Sequence, residues 1–369
     1  MKGNVNRMVR DMNNLEQIDS EILALLKKRE QIAVSGDQFL SCDIESLLSS
    51  AQANELNPSF VKQLFRLINR ETGLVYTQKL IAEKNPKWNS FKSASFLGPV
   101  GTYSYQALKK YCDSHNLHLD EISCGNFRDQ INNVRQGISD LAFLPIENTS
   151  SGIINDVIDL LNDHNVYVIG EVVLHIVHSI LVNRPETAGR IKYIYSHPQP
   201  IVQCSNFLSV HYPDVSFKYC DSTADAIKKV KEMNSDEAAA IGSDMGGSIF
   251  GLKPLISNIA NQTCNYTRFI VIAKDPVKFP REMTTKTSIS FTTDNKPGAL
   301  SDILDIFRKY NYNMTKLTSR PIIGRPWEEQ FYADFIANIE SADAQKALDE
   351  ISMNCRSLHI LGCYPMDSE

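Results

Sequence analysis

The sequence predicts a multidomain chain with three regions: all-α helices at the N-terminus, a two-lobed α/β domain in the middle, and an α+β domain with the ferredoxin-like plan at the C-terminus. Apolar residues recur at helical spacing over residues 10–84. From residue 94 to about 274, short apolar runs alternate with helical patterns, as in α/β domains. From residue 286 onward the pattern follows the order βαββαβ. We place the three regions at residues 1–90, 93–275 and 286–366.

The composition is that of a globular chain and excludes several classes of protein. Of 369 residues, 43% are hydrophobic and 22% are charged, which is enough chain for two or three cores. The formal net charge is -5 and lysine and arginine do not cluster with aromatic residues, so no nucleic-acid surface is expected. Neither a run of about 18 apolar residues nor the apolar core of a secretion signal is present, so we expect no membrane span and no export. The eight cysteines form no CxxC pair, which predicts isolated thiols in a reducing cytoplasm.

The N-terminal region is predicted to be helical. A stripe at helical spacing runs through Ile18, Ile22, Leu25, Leu26 and Ile32. A later helix begins with Asn57 as its N-cap and Pro58 in its first turn, and a shorter helix near residues 44–53 lies between the two. The polar stretch KNPKWNSFKS that follows is typical of a linker.

Each remaining element is a strand or helix pattern bounded by turn residues. In the middle region the strands and helices alternate as SASFLG and TYSYQALKKYC, DLAFLPIEN and IINDVIDLLND, KYIYS and IVQCSNFLSVH, SFKYCDS and ADAIKKVKEM, and AAAIG and SDMGGSIFGL. The long apolar run from Val172 to Val182 is predicted to cross between two lobes. The C-terminal elements are TSISFTTD, LSDILDIFRKY, MTKLTSRP, EQFYADFIANI, ADAQKALDEISM and SLHILGCY.

Polar residues gather at the strand-to-helix turns of the middle region. These turns contain Gly98, Gly101, Thr102 and Ser104; Glu147, Asn148, Thr149, Ser150, Ser151 and Gly152; Ser196, His197 and Gln199; Asp221, Ser222 and Thr223; and Gly242 and Ser243. Ligands of open α/β sheets bind beyond the carboxyl ends of the strands, where helix N-termini offer free N–H groups. With hydroxyl and amide side chains added, this chemistry suits a small anion, above all a carboxylate, although each turn alone also fits an ordinary helix cap. The stretch GPVGT lacks the Gly-Lys-Ser/Thr ending of a phosphate loop, which argues against a nucleotide.

The stretch NYTRF, residues 265–269, precedes an apolar run that is typical of a buried strand. Such a strand follows the last helix of the region and would return to the rim where the turns gather. Arg268 is then predicted to hold a carboxylate with two guanidinium nitrogens, and Thr267 to donate a hydrogen bond to a leaving oxygen. No Cys-His or Ser-His-Asp arrangement is visible, so covalent catalysis is not expected. His175 and His178 lie on a strand pattern, where positions i and i+3 face opposite sides, so no shared metal is expected.

These motifs resemble those of the bacterial P-protein family, in which chorismate mutase is fused to prephenate dehydratase and a C-terminal ACT regulatory domain. The middle region is similar through FLGPVGTYS, PIENTSSGIINDVIDLL, YSHPQP, DSTADA and NYTRF, and the C-terminal region through PGAL, LTSRP and EEQFYADF. The resemblance covers about residues 94–366. It implies a fold similar to type II periplasmic binding proteins and no cofactor or metal. The implied activity is conversion of prephenate to phenylpyruvate in L-phenylalanine biosynthesis, with loss of carbon dioxide and water.

The resemblance also implies roles for individual residues. Thr267 matches the threonine that is tied to catalysis, Arg268 matches an arginine expected to bind a carboxylate, and Asn148 and Gln199 are assigned to catalysis with them. The other residues expected to contact the substrate are Thr102, Ser104, Glu147, Thr149, Ser150, Ser196, Ser222, Thr223 and Phe269. Two of these have an alternative role: Glu147 could orient Asn148, and Phe269 could serve core packing.

The ACT domain implies feedback inhibition by L-phenylalanine, bound in a pocket at a subunit interface. The residues that match the two effector motifs of the family are Gly298, Ala299, Leu300, Ser319, Arg320 and Pro321. Thr318 replaces the glutamate of the second motif. We therefore expect L-phenylalanine as an effector and a homodimer or higher oligomer.

The N-terminal helices resemble the all-helical chorismate mutase class through IDSEILALLKKREQIAV and LFRLINRETGLVYTQ. That class holds a dianionic substrate with cations. Arg29 occupies the second arginine position of the first helix, but Met12 stands at the first. Residues 31–61 contain no lysine or arginine, and Thr72 and Tyr76 replace a serine and a glutamine of the third helix. We therefore expect a degenerate mutase domain that serves dimerisation.

Two alternative functions follow from the same residues. The chain could keep both enzymatic activities, with Arg10 and Arg29 serving the mutase pocket. It could instead be a non-catalytic sensor that binds an aromatic acid between the two lobes.

Overall fold

The computed structural model describes residues 2–33, several positions between residues 47 and 68, and residues 90–367 apart from 164, 165 and 323. The chain divides into two compact units, residues 1–86 and residues 87–369. No helix among the described residues combines the length and the apolarity that a membrane crossing requires.

Helix α1 (Lys2–Ala33) begins the N-terminal unit, and its predicted apolar stripe is exposed except at Leu26, which is half-buried. The exposed fraction is 51% for Ile18, 48% for Ile22 and 65% for Leu25. A helix that keeps such a stripe open to solvent has an apolar face suited to a partner surface.

A second helical segment, residues 58–65, confirms the cap predicted for it. The Oδ1 atom of Asn57 accepts a hydrogen bond from the backbone N–H of Ser59 at 2.9 Å. Within the predicted helix near residues 44–53, the described positions 47, 49, 51 and 52 are helical. Thr72 and Tyr76, in the later part of the predicted helix that Asn57 caps, lie outside the described residues.

The first lobe of the larger unit alternates strands and helices as predicted. Its elements are β1 (Ser93–Leu97), α2 (Tyr103–His115), β2 (Asp120–Cys124), α3 (Phe127–Gln136), β3 (Leu141–Asn148), β4 (Gly152–Ile153), α4 (Asn155–Asp163) and β5 (Tyr167–His175). Strand β3 is buried almost throughout because helices and neighbouring strands cover it on both faces.

The second lobe has a sheet of its own. Its elements are β6 (Ser179–Val182), a 3₁₀ turn (Pro185–Arg190), β7 (Tyr193–Ser196), α5 (Pro198–Gln203), α6 (Ser205–His211), β8 (Ser216–Tyr219), α7 (Thr223–Met233), β9 (Ala238–Gly242), α8 (Asp244–Phe250) and β10 (Lys253–Ile256). The strand order is β10-β6-β9-β7-β8. The chain enters this lobe between β5 and β6 and returns to the first lobe through β11 (Tyr266–Ala273). The predicted two-lobed α/β plan and the crossing over Val172–Val182 are therefore confirmed.

The C-terminal region has the predicted βαββαβ order. Its elements are β12 (Thr285–Thr292), α9 (Ala299–Lys309), β13 (Met314–Pro321), β14 (Glu329–Ile336), α10 (Ala342–Asn354) and β15 (Ser357–Pro365). Both helices pack on one face of the strands around a core that includes Ile289, Ile303, Phe335 and Ile351.

One continuous sheet joins the C-terminal region to the first lobe. Its ten strands include the order β13-β14-β12-β15-β5-β11-β3-β1-β2. The junction is the parallel pairing of Gly362 on β15 with Val168 on β5. A Cβ atom added to Gly362 would lie 2.0 Å from the carbonyl oxygen of Val168, so only glycine allows this approach. Strand β11 therefore lies between the strand that carries the junction and β3.

Candidate functional site

A cavity of about 630 Å³ lies between the two lobes, where the strand-to-helix turns meet. This volume is in the range of small-molecule sites. The structure brings eight of the predicted site residues to its wall: Thr102, Ser104, Asn148, Gln199, Ser222, Thr223, Thr267 and Phe269. These residues are distant in sequence, and they meet because the turns converge at one rim of the two lobes.

The ends of two helices contribute to the cavity wall. The Oγ1 atom of Thr102 accepts from the N–H of Tyr105 at 3.3 Å and caps α2. The Oγ atom of Ser222 accepts from the N–H of Asp225 at 3.0 Å and caps α7. Both hydroxyl groups are therefore engaged in caps, and they place helix N-termini with their positive dipole ends beside the cavity. None of the described lining residues is a lysine or an arginine, so a bound anion would rest on helix ends and neutral donors.

Asn148 and Thr267 form a fixed pair at the cavity. They are directly opposite each other on β3 and β11, and the Nδ2 atom of Asn148 donates to the Oγ1 atom of Thr267 at 2.9 Å. The Oδ1 atom of Asn148 accepts from the N–H groups of Ser150 and Ser151, each at 2.9 Å, so the amide is held in one orientation. Because Thr267 acts as acceptor in this bond, its own hydroxyl hydrogen can donate to a molecule bound in the cavity. The pair therefore offers one neutral hydrogen-bond donor at the cavity wall.

A second hydrogen-bonded chain at the cavity was missed by the sequence reasoning. The hydroxyl of Tyr103 lies 2.8 Å from Nδ1 of His178, and Nε2 of His178 lies 2.7 Å from Oε1 of Gln203. Burial lowers the pKa of His178, which favours a neutral ring, and the bond to Oε1 of Gln203 needs the ring hydrogen on Nε2. The single hydroxyl hydrogen of Tyr103 is then shared between Nδ1 of His178 and the carbonyl oxygen of Val177, which lies 2.9 Å away. The amide nitrogen of Gln203 then remains as a donor at the cavity. Gln203 follows Gln199 by four residues, and that helical spacing was the signal that could have found it.

The burial of His178 predicts a pH dependence of stability. Its pKa in the folded chain lies below its usual value of about 6.5. Between these two values the unfolded chain binds the proton and the folded chain does not, so the free energy of unfolding should fall as the pH drops below about 6.5. In urea denaturation experiments between pH 5 and 8, the variant His178→Gln should show a weaker dependence of the free energy of unfolding on pH than the wild type. The control variant His118→Gln, at an exposed position, should keep the wild-type dependence. Equal slopes for wild type and His178→Gln would contradict the assignment.

The structure does not bring Arg268 to the cavity, contrary to the sequence-based expectation. Arg268 lies between Thr267 and Phe269 on β11, and alternate residues of a strand face opposite sides. Its Nε atom donates to Oε1 of Glu147 at 2.6 Å, and both Nη atoms donate to Oδ2 of Asp334 at 3.0 Å. Glu147 likewise does not line the cavity and pairs with Arg268.

A bulge on β3 keeps the side chains of this strand in step with those of β11. The register of β3 and β11 shifts between Arg268 and Phe269, which pair with Glu147 and Pro145. The buried Ile146 is the extra residue on β3. As a result Pro145 and Phe269 face the cavity together, while Glu147 and Arg268 face away together.

Three other predicted contacts support the turns without lining the cavity. Thr149 donates to the carbonyl oxygen of Cys264 at 3.0 Å and so ties its turn to the approach of β11. Ser150 donates to Oε1 of Gln262 at 2.9 Å. Ser196 is fully buried and donates to the carbonyl oxygen of Ile241 at 3.0 Å. These hydroxyl groups donate to protein atoms, and the three residues are not among those that line the cavity.

The predicted effector residues fall into two groups in the single chain. Gly298, Ala299 and Leu300 line a cavity of about 360 Å³ at the N-terminus of α9, together with Trp327, which is 92% exposed. Ser319, Arg320 and Pro321 lie at the end of β13. The guanidinium of Arg320 is engaged there, because Nε and Nη2 donate to the two carboxylate oxygens of Asp159 at 2.8 and 2.7 Å.

Comparisons with known proteins agree with this architecture. The prephenate dehydratase family model matches residues 94–277, and the ACT domain family model matches residues 287–352. The chain is similar to the bifunctional chorismate mutase/prephenate dehydratase of Enterobacter agglomerans, at 38% identity over 371 residues that cover 96% of this chain and 95% of the relative. It is also 39% identical to the protein of that name from Escherichia coli (strain K12) over 368 residues, which cover 96% of this chain and 95% of the relative.

Three solved structures are similar to the larger unit. A prephenate dehydratase in complex with L-Phe from Arthrobacter aurescens has a TM-score of 0.67 at 26% identity, covering 74% of this chain and 89% of that chain. The prephenate dehydratase from Staphylococcus aureus subsp. aureus Mu50 has a TM-score of 0.63 at 26% identity, covering 74% and 99%. GqqA, described as a novel type of quorum quenching acylase, has a TM-score of 0.67 at 28% identity, covering 75% and 98%.

Proposed function

We propose, because this chain belongs to the bifunctional chorismate mutase/prephenate dehydratase family, that it converts prephenate to phenylpyruvate between its two lobes. The observation that supports the proposal most directly is the Asn148–Thr267 pair, which places one hydroxyl group able to donate at the wall of a cavity lined by helix N-termini. This arrangement suits a substrate with carboxylates to bind and a hydroxyl group to expel.

The chemistry needs no group beyond those of the chain and solvent. Prephenate is held by its carboxylates on the helix ends and on neutral donors such as the amides of Gln199 and Gln203. The hydroxyl group leaves the ring with the bonding electron pair, stabilised by a hydrogen bond from Thr267 and completed to water by a proton. The bond between the ring and its carboxylate breaks, carbon dioxide departs, and the electron pair completes the aromatic ring. Water is the second product, and phenylpyruvate keeps the side-chain carboxylate.

The N-terminal region is proposed to be a degenerate mutase domain that joins two copies of the chain. Arg29 is the one matched mutase cation, while Met12 occupies the other arginine position of α1. Losing one partner of a buried charged ligand costs about 2 to 5 kcal/mol, so several losses should abolish useful activity. The exposed apolar stripe of α1 supplies a surface for a second copy.

Two substrates test these assignments on the full-length protein. With prephenate we expect phenylpyruvate to accumulate, which is measured by the absorbance of phenylpyruvate. With chorismate we expect no consumption above the uncatalysed rate. Heat of prephenate binding without product would favour the sensor alternative, and chorismate consumption that Arg29→Ala removes would favour the bifunctional alternative.

Sedimentation should show a homodimer or higher oligomer, and a monomer at micromolar concentration would contradict the role given to α1.

The C-terminal region is proposed to bind L-phenylalanine and to inhibit the reaction. Gly298, Ala299 and Leu300 already line a cavity there, and Trp327 beside them provides a fluorescence signal for binding. A titration without any fluorescence change or inhibition would contradict this assignment.

The described cysteines are free thiols, which is typical of a reducing compartment, and we infer a cytoplasmic enzyme, to be checked by cell fractionation.

A further inference from the structure

Three carboxylates and three cations form an ion cluster on the side of the sheet away from the cavity. Its members are Glu147, Glu171, Arg268, Lys286, Lys316 and Asp334. Apart from Glu147, each member has an exposed fraction of 9% or less. Charges buried this deeply are costly unless they are paired, so the positions of the six side chains depend closely on one another.

The cluster joins the first lobe to the C-terminal region. The first lobe supplies Glu147, Glu171 and Arg268, and the C-terminal region supplies Lys286, Lys316 and Asp334. The first lobe contributes two carboxylates and one guanidinium, which leaves a net negative charge. The C-terminal region contributes two ammonium groups and one carboxylate, which leaves a net positive charge. The two sides are therefore electrostatically complementary.

Every contact between the two regions in this cluster is short. The Nζ atom of Lys286 donates to Oε2 of Glu171 at 2.7 Å. The Nζ atom of Lys316 donates to Oε2 of Glu147 at 2.6 Å. In the third contact the cation belongs to the first lobe: Arg268 donates to Asp334 of the C-terminal region with two nitrogens, each at 3.0 Å. Charge-assisted bonds of this length in a buried site are strong and directional.

Two members of the cluster are chain neighbours of the pair at the cavity. Glu147 precedes Asn148 on β3, and Arg268 follows Thr267 on β11. The two strands are thus bridged twice at one level: by Asn148 and Thr267 on the cavity side, and by Glu147 and Arg268 on the other side. Any shift of the second bridge moves the backbone that carries the first.

We propose that Asp334 and Lys316 of the C-terminal region are positioning residues for the dehydration, and that this cluster is the physical route from the effector region to the cavity. Asp334 and Lys316 bind Arg268 and Glu147, the chain neighbours of Thr267 and Asn148. Through these bonds they hold β3 and β11 at the spacing in which the hydroxyl of Thr267 can donate to the leaving group. The inference rests on the proposed function. It requires no movement of the lobes, only a displacement of β14 and β13 relative to β11 and β3.

Asp334→Asn in the full-length protein tests the proposal, because it removes one charge and keeps the side-chain shape. We expect kcat for prephenate to fall roughly 10- to 100-fold, as misplacement of a reacting group does, while KM changes much less. Asp367→Asn is the matched control. Asp367 also joins the C-terminal region to the first lobe, accepting from Lys110 at 2.9 Å and from the N–H of Val173 at 2.8 Å, but it touches neither cavity strand β3 nor β11. We expect this control to keep the wild-type kcat.

A titration with L-phenylalanine adds a readout that a purely structural role would not move. In Asp334→Asn the effector should still change the fluorescence of Trp327, because the cavity beside it is intact. Its effect on turnover should be much smaller than in the wild type, since the route to Thr267 has been cut. Binding and inhibition are thereby separated in one variant.

The possible failures are distinguishable. A wild-type protein without prephenate turnover would remove the proposed function, and this inference with it. Wild-type turnover together with an unchanged kcat in Asp334→Asn would overturn the inference alone, even if the melting temperature fell. If Asp334→Asn does not fold, Lys316→Gln carries the same test through Glu147, with the same expected fall in kcat.

Discussion

Replacing Thr267 with alanine is expected to lower kcat for prephenate about 10²- to 10³-fold, the usual effect of removing one donor aimed at a developing negative charge. Thr267 is 8% exposed, lines the cavity and receives a hydrogen bond from Asn148, so its own hydroxyl hydrogen can donate to a bound substrate. The alanine variant loses this donor but keeps the helix ends that hold the carboxylates. KM for prephenate should therefore change less than kcat, measured from initial rates of phenylpyruvate formation.

Thr267→Ser is the matched control because serine keeps the hydroxyl group at nearly the same place. We expect serine to restore most of the rate that alanine loses. An alanine variant with the kcat of the wild type would show that the hydroxyl of Thr267 does not assist the departure of the leaving group.

Arg268→Leu is expected to lower the free energy of unfolding by about 3 to 5 kcal/mol, since it leaves the buried carboxylate of Asp334 without its cation. Asp334 is fully buried and accepts hydrogen bonds from Arg268 and from the hydroxyl of Ser288. Burial is the largest single influence and lowers the pKa of Arg268, but the negative groups around it, Asp334 first and then Tyr364, Tyr332 and Glu147, together outweigh burial and raise the pKa, so the guanidinium remains charged in the folded chain. Urea denaturation at neutral pH measures this loss.

Arg184→Leu is the control for the Arg268 change. Arg184 is 43% exposed and pairs with Asp236 at the surface, where an ion pair contributes about 1 kcal/mol or less. If Arg268 were instead a ligand for the substrate carboxylate, its replacement would raise KM and leave stability nearly unchanged. That outcome would contradict the geometry of the ion cluster.

The convergence of the turns could be predicted because it depends on general rules of α/β folds. Residues at the carboxyl ends of strands meet at one rim, and this placed Thr102, Asn148, Gln199 and Ser222 near Thr267 without any coordinates. The βαββαβ order of the C-terminal region followed in the same way, from apolar periodicity and turn residues.

Matching motifs could not show which side of strand β11 the side chain of Arg268 faces, although the alternation of side chains along a strand constrains it. Neighbouring residues of a strand face opposite sides, so Thr267 and Arg268 cannot both face the cavity. The partners that hold the guanidinium, Glu171 and Asp334, are remote in sequence and are brought to it by the continuous sheet. Such contacts depend on the tertiary arrangement of strands, which periodicity does not specify.

The mutase region shows a different kind of limit. Its first helix follows from the apolar stripe through Ile18 and Ile22, and that helix is present. The stripe itself is exposed in the single chain, because a helical face can be completed by another copy as well as by the same chain. Periodicity therefore predicts the element but not the surface that covers it.

The most direct measurement is a crystal structure of the full-length protein with a stable prephenate analogue that keeps both carboxylates and the ring hydroxyl. We expect the analogue between the lobes, with its ring hydroxyl about 3 Å from Oγ1 of Thr267, its carboxylates at the N-termini of α2 and α7, and Arg268 still bound to Asp334. An analogue bound away from Thr267, or held through a guanidinium that has left Asp334, would contradict the proposed site.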